Sequence, residues 1–299
     1  MKPLGSRFIY SWFVTGSPLI GKTLFYRKMN FSIDSPANPR IKELVKLRES
    51  PRRRKERGMF FVEGWQELQF LAQSGRTISE VYYSTSNEFA PREVIGLKEL
   101  HNLGVETIEV SPAAFAKASY RSANFGLIGL VCSWDMRLGS IEIPEIGPLV
   151  VLDEVEKPGN LGAIFRSVEA LGGAGVVLSD PAVDFFNPNV VRSSRGLMGS
   201  LPVAAGNKEE VYTWLKNSQR SIWATSSHTS DLLGEKAIPL SPVFIFGSEK
   251  CGLGEFWKNQ KLEWVKIPMK GQASSLNLNA SVACLLYEMN RSHGTVSRR

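Results

Sequence analysis

Residues 265–289, VKIPMKGQASSLNLNASVACLLYEM, decide how this chain is read. With the two residues before it, VKIPM reads as a strand, EWVKIPM (263–269), that ends at Ile267, Pro268 and Met269. A loop of small residues follows. Leu278, Val282, Leu285, Leu286 and Met289 then recur at helical spacing and predict an amphipathic helix. Ser275 and Asn277 stand at its amino end, where unpaired N–H groups point outward, and taken alone they read as ordinary caps. Strand, loop and helix in that order form the unit of an open α/β sheet, whose ligands bind beyond the carboxyl ends of the strands.

The same grammar recurs upstream. Strand candidates are PLVVLDEV (148–155), GAGVVL (173–178), SLPVAA (200–205), RSIWATS (220–226) and PVFIFG (242–247). Helical stretches separate most of them, which predicts a mainly parallel sheet covered on both faces. Two of these strands run into polar, glycine-containing segments. In LDEVEKPGNLGAIFRSVEALGGAG (152–175), Leu161, Ile164, Phe165, Val168 and Leu171 form one apolar stripe, and Arg166 points away from it. Asn160 occupies a position where a helix cap would stand. In VFIFGSEKCGLGE (243–255), Gly247 and Gly252 flank Glu249 and suit a loop wrapped closely around a ligand.

Earlier residues alternate as well. NPRIKELVKL (38–47) is amphipathic, SPRRRKERG (50–58) reads as a charged loop, and MFFVEG (59–64) is a strand entering the helix WQELQFLAQSG (65–75). EVYYST (80–85), ETIEV (106–110) and FGLIGLVCSW (125–134) read as strands, with helices PREVIGLKELHNLG (91–104) and PAAFAKA (112–118) between them. The organisation is therefore α/β throughout: an extension over 1–30, a small domain over 31–135, a linker over 136–147 and a second domain over 148–299.

The chain has 299 residues, 43% of them hydrophobic and 22% charged, with a formal net charge of +7. That excess favours a polyanionic partner. Between Arg40 and Arg57 stand nine basic and three acidic residues, so Arg40, Arg52, Arg53, Arg54, Lys55 and Arg57 are phosphate-contact candidates, with Arg192 and Arg195 in NVVRSSRG as secondary ones. A charge run of this kind also fits a plain solvated face. Three scattered cysteines and three scattered histidines give no disulfide framework and no metal-ligand spacing, and a reducing cytoplasmic compartment fits. No stretch is long and apolar enough to span a bilayer.

Residues 1–33 hold five basic residues and no acidic one. An organelle-targeting peptide, a weak secretory signal and dispensable upstream sequence compete there, and Met29, just before the domain sequence, favours the last. GSPLIGKT (16–23) fits the phosphate-loop pattern G-x-x-x-x-G-K-[ST]. It lacks a sheet strand before it and a substantial helix after it, so it reads as an accidental match, and a nucleotide hydrolase rests on nothing else.

Taken in order, three segments resemble the SpoU/TrmH family of RNA ribose methyltransferases, within the SPOUT superfamily. NLGAIFR meets the first family motif, FGSEKCG the second and IPMKGQASSLN the third. The first domain is similar to the ribosomal-protein-like substrate-binding domain of rRNA-directed members. The resemblance implies a catalytic domain tied in a deep trefoil knot, S-adenosylmethionine as cofactor, no metal, and a homodimer whose site draws on both subunits. By position it assigns cofactor contact to Gly247, Ile267 and Leu276, and the reaction site to Asn160, Arg166, Glu249, Ser275 and Asn277. Arg166 is expected to clamp phosphate and alkoxide, since a guanidinium stays protonated, while Glu249 steers the proton. Where many members carry serine, this chain has Asn279. The implied substrate is large-subunit rRNA; tRNA, or a non-catalytic role in ribosome assembly, is the alternative.

Overall fold

The computed structural model describes residues 32–84, 89–120 and 126–294. The N-terminal extension and its GSPLIGKT motif lie outside them. The first unit runs α1 (Pro39–Glu49), α2 (Pro51–Arg57), β1 (Met59–Glu63), α3 (Trp65–Gln73), β2 (Ile78–Tyr83), α4 (Pro91–Asn102), β3 (Glu106–Glu109), α5 (Pro112–Ala118) and β4 (Leu127–Cys132). Its sheet has the order β1-β4-β2-β3, with β4 antiparallel to β1 and β2, and β2 parallel to β3. The arginine-rich segment read as a loop is the helix α2. Ser50 caps it by accepting from the Arg53 amide, Pro51 opens it, and Gly58 closes it at φ +60°. Its buried residue is Arg54, so no apolar periodicity announced it.

The second unit contains β5 (Leu149–Asp153), α6 (Pro158–Ala170), β6 (Gly175–Ser179), α7 (Pro188–Ser193), β7 (Val203–Gly206), α8 (Lys208–Asn217), β8 (Ile222–Thr225), β9 (Val243–Phe246), α9 (Glu255–Lys258), β10 (Glu263–Val265) and α10 (Leu278–Ser292). All six strands are parallel, in the order β10-β8-β9-β5-β6-β7. Alternate side chains serve opposite faces. Val150, Leu152, Val176, Leu178, Phe244 and Phe246 join the core that holds α6 and α10, while Leu149, Val151, Val177, Val243 and Ile245 join the one that holds α8 and α9. Because β5 and β9 are neighbours, the loops that leave their carboxyl ends emerge side by side. The first two motifs are those loops.

The two units share a core. Phe60, Val62, Leu68 and Leu71 of the first belong to the same buried cluster as Val190, Val191, Met198 and Leu201 of the second. Phe60, Trp134, Phe185 and Phe186 stack across the joint with centroids 4.9–5.8 Å apart. The Arg76 guanidinium lies 4.0 Å from the Trp134 ring centroid, and its Nε donates to the Gly199 carbonyl at 3.0 Å. Gly196 has φ +81°, and a Cβ there would come within 2.4 Å of the Glu67 carbonyl oxygen, so only glycine fits. The stretch read as a linker is docked too. Leu138 and Ile143 pack on the second core, and Arg220 donates to the carbonyls of Pro144, Glu145 and Gly147.

Candidate active site

Each of the three motifs supplies one polar group to a single chain of hydrogen bonds. The loop after β5 gives Lys157 and the first turn of α6. The loop after β9 gives Glu249. The loop after β10 ends at Asn277, the cap of α10. Lys157 Nζ donates to Glu249 Oε2, Asn160 Nδ2 donates to Glu249 Oε1, and Asn277 Nδ2 donates to Asn160 Oδ1 at 3.3 Å. Asn160 thus joins residues 89 and 117 positions away in sequence.

Asn160 is not the cap of α6. The helix begins at Pro158 with Lys157 as the capping residue, and Lys157 offers no side-chain cap. The Pro-Gly pair carries the helix start three residues further back than a cap at Asn160 requires, because proline fits the first helical position. This frees the Asn160 amide to face the other loops. Asn277, by contrast, does both jobs: its Oδ1 accepts from the Asn279 amide at 3.0 Å while its Nδ2 reaches Asn160. Asn279 accepts a hydrogen bond from Ser167 Oγ at 2.8 Å and so ties α10 to α6. Asn290 adds a second tie at the far end of the same helix pair, to the Leu171 carbonyl at 2.8 Å.

Glu249 rides on a tight turn. Ser248 and Gly252 exchange backbone hydrogen bonds at 3.2 and 3.0 Å, and Gly252 has φ +65°. A Cβ on Gly247 would come within 2.1 Å of the Gly252 carbonyl carbon, so glycine is required for the turn to close. A second pair, Lys250 to Glu156 at 2.9 Å, links the same two loops, and it holds Lys250 above its ordinary pKa. Between these loops lies a cleft of about 150 Å³ lined by Val155, Glu156, Lys157, Glu249, Lys250 and Leu278.

The backbone of 267–276 makes no hydrogen bond with another backbone group among the described residues, and from Gly271 to Asn277 every residue is exposed. Peptide N–H and C=O groups in such a loop are free for a ligand. Ile267 opens this loop, while Ser275 and the 39%-exposed Leu276 end it. A sulfonium nucleoside with an amino-acid tail would find free peptide groups here beside an exposed aliphatic side chain. Arg166 is exposed on α6 and makes no hydrogen bond or ion pair with a described residue. Six residues along a helix place it about 9 Å further on and about 120° around from Asn160. It does not reach the Glu249 network of its own chain.

Sequence reasoning missed Lys157. Its signal was a cation in the loop after β5, directly before the Pro-Gly that opens the motif helix. The arginine-rich run also needs correction. Arg54 is 3% exposed, meets Asp184 at 2.6 Å and donates to the carbonyls of Leu47 and Arg48 at 2.6 and 3.0 Å, so it binds the two units together and is closed to phosphate. Arg40 pairs with Glu106, Arg53 with Glu43 and Glu56, Arg57 with Glu43 and Arg52 with Glu56. Lys55 is exposed and unpaired among the described residues.

Solved structures of the same class carry this fold. An RNA 2′-O ribose methyltransferase is 34% identical, with a TM-score of 0.75 over 87% of this chain and 98% of its own. The AdoMet-bound rRNA methyltransferase of Sinorhizobium meliloti is 25% identical, with a TM-score of 0.77 over 87% of this chain and 97% of its own. Fold and site together define a two-domain RNA methyltransferase type. The chain belongs to the SpoU rRNA methylase family, whose model matches residues 147–287, and the MRM3-like substrate-binding domain model matches residues 38–129. A 23S rRNA (adenosine(1067)-2′-O)-methyltransferase of Streptomyces azureus is 29% identical over 263 residues, spanning 86% of this chain and 94% of the relative.

Proposed function

We propose that this protein transfers a methyl group from S-adenosylmethionine to a ribose 2′-hydroxyl of large-subunit rRNA. The observation that carries the reading is the Lys157–Glu249–Asn160–Asn277 chain, in which three loops far apart in sequence meet at one point. The rRNA assignment is supported by relatives named as 23S rRNA 2′-O-methyltransferases that align over most of both chains.

In this reading the cofactor supplies an activated methyl on sulfur, held by peptide groups around Gly247, Ile267 and Leu276. Glu249 would accept the proton of the 2′-hydroxyl, directly or through one water, as that oxygen takes up the methyl. Asn160 and Lys157 fix both carboxylate oxygens, so Glu249 is aimed before substrate arrives, which is where positioning contributes to rate. Asn277 borders the same point, and Ser275 stands two residues before it in the exposed loop. Arg166, turned away from its own network, supports a homodimer in which each chain's Arg166 clamps phosphate and developing alkoxide at the partner's site. The outer face of α10, with exposed Cys284 and Tyr287, is the surface we assign to that contact. The knotted chain path and a cytoplasmic location belong to the same proposal. Among the basic run, exposed Arg52, Lys55, Arg57 and Arg40 remain the phosphate contacts, each of the arginines in competition with a glutamate.

Tritiated methyl transfer to deproteinised 23S rRNA, followed by alkaline hydrolysis, tests this. A labelled dinucleotide resistant to alkali is expected, because a blocked 2′-oxygen cannot cleave its own phosphodiester. Label on bases alone would refute ribose as the acceptor.

A further inference from the structure

Among the described residues, two free guanidiniums outside the arginine-rich run, Arg192 on α7 and Arg195 just after it, lie on the segment that packs on the first turn of α6. Arg192 and Arg195 are exposed, and neither makes an ion pair or side-chain hydrogen bond with a described residue. Their backbone is fixed. Ser193 Oγ donates to the Asn189 carbonyl at 2.6 Å and lies 3.3 Å from the Pro158 carbonyl oxygen, and a Cβ on Gly162 would come within 1.9 Å of that Oγ, so α7 lies directly on the first turn of α6 that carries Asn160. On its other side Gly196 abuts the Glu67 carbonyl of the first unit. Arg195 has φ +53°, a left-handed conformation that an L side chain adopts only at a cost. The two cations therefore stand on the rigid joint between both units, beside the site.

An aromatic ring stands with them. Tyr120 is 43% exposed and, with Phe61, Glu63, Pro188, Val191 and Arg192, borders a shallow cleft of about 10 Å³. So small a recess holds no buried ligand, but it leaves the ring as a platform. The platform is anchored by its backbone: Glu63 accepts from the Tyr120 amide at 3.1 Å and from Ser119 Oγ, and Arg48 donates to the Ser119 and Ala118 carbonyls at 2.5 and 3.0 Å. Glu63 is itself buried and occupied by these bonds. An anchored, half-exposed aromatic beside the unpaired Arg192, with unpaired Arg195 three residues further along the chain, is the pairing that binds unstacked nucleotides: a base stacks on the ring and cations take the flanking phosphates.

We propose that Tyr120, Arg192 and Arg195 form a docking subsite for the RNA strand next to the target nucleotide, with a neighbouring base stacked on Tyr120 and its phosphates held by the two arginines. The proposal rests on the reading of this protein as an RNA methyltransferase, and it adds a strand path from the first unit across α7 to Asn160.

The test uses the full chain, deproteinised 23S rRNA for methyl transfer and a fluorescein-labelled 12-nucleotide oligouridylate for binding by anisotropy over a KCl series. Tyr120→Leu is expected to raise KM for rRNA and weaken oligouridylate binding by about ten-fold, with kcat and the salt slope unchanged, while Tyr120→Phe behaves as wild type. Arg192→Gln and Arg195→Gln are each expected to weaken binding and to lower the salt slope by about one. Affinity for S-adenosylmethionine by calorimetry stays at the wild-type value in all four variants. The proposal is overturned if Leu and Phe at position 120 behave alike, or if both arginine variants keep wild-type KM and slope, as they would were this cleft a protein-docking site. A parallel loss of cofactor affinity also overturns it, because these residues would then be serving the fold. Failure of the wild-type chain to bind RNA or transfer methyl would break the underlying reading instead.

Discussion

Residues 40–57 and the three loops around Asn160 differ in a way that charge counting inverts. The first region is the most basic stretch of the described chain, yet its structure spends that charge internally. Glu43 takes Arg53 and Arg57, Glu56 takes Arg52 and Arg53, Glu106 takes Arg40, and Arg54 disappears into the joint with Asp184. The second region is modest in sequence, with single polar residues on three separate segments, Asn160 lying 89 positions from Glu249 and 117 from Asn277, and the fold gathers them into one network. Exposed ion pairs of the first kind are individually weak and exchange readily for phosphate. A site assembled from three loops fails when any one loop is disturbed.

Variants sharpen that contrast. The largest effects belong to the network. Glu249→Gln keeps shape but loses the proton acceptor, and Asn160→Ala loses the bridge; each is expected to lower kcat by about 100-fold or more, as loss of a general acid–base group does, with the thermal midpoint nearly unchanged. Single-turnover methyl transfer reads this, and a kcat within a few-fold of wild type in both variants would dissolve the claim that the network is catalytic.

Next comes Gly247→Ala. The added methyl must displace the backbone of Gly252 and Leu253. Overpacking of this kind costs about 1–3 kcal/mol, and the expected readout is at least a ten-fold weaker affinity for S-adenosylmethionine by calorimetry. Unchanged affinity would remove the turn from the cofactor site.

In the basic run the effect moves from function to stability. Arg54→Met leaves Asp184 without its partner at the joint, and breaking a buried pair costs about 3–5 kcal/mol. Urea unfolding should show that loss while RNA affinity, measured under native conditions, stays near wild type. The neighbouring Arg52→Gln and Lys55→Gln should do the reverse on a smaller scale: no loss of stability, and about a two-fold weaker RNA affinity each, fading at high salt. If Arg54→Met weakened RNA binding more than both together, the assignment of Arg54 to the joint would be wrong.

The smallest effect is a pH dependence on the far side of the sheet. Asp153 is buried at the end of β5 and accepts from Ser179 Oγ at 2.6 Å; burial pushes its pKa above the ordinary 3.8. Because the folded value lies above the unfolded one, ionising the group opposes folding. That penalty is absent below pH 3.8 and complete above the raised value. Asp153→Asn is therefore expected to raise the melting temperature slightly at neutral pH, and the gain should vanish as the pH falls below 3.8. A gain that persisted in acid would assign the effect to packing.

Much of this was legible in the chain. Apolar runs marked the ten strands of the described residues, and three ordered motifs marked the loops that meet. The misses have physical reasons. Helix α2 was invisible because its buried residue is an arginine and its signals are a serine cap, a proline and a closing glycine. Asn160 looked like a cap because asparagine is a favoured capping residue, while the true start is marked only by Pro158, which fits the first helical position. Lys157 and the shared core of the two units are facts of spatial approach: Glu249 is 92 residues from Lys157, and no local pattern reports which distant cation a carboxylate will meet.

The most direct test of the central claim is radiolabelled methyl transfer from S-adenosylmethionine to the ribose 2′-oxygen of 23S rRNA, run on the wild-type chain and on Asn160→Ala, Glu249→Gln and Asn277→Ala. Convergence of the three loops predicts transfer by the wild type and its loss in each variant, although the three positions lie on separate segments. Full transfer by any one variant, or none by the folded wild type, would contradict it.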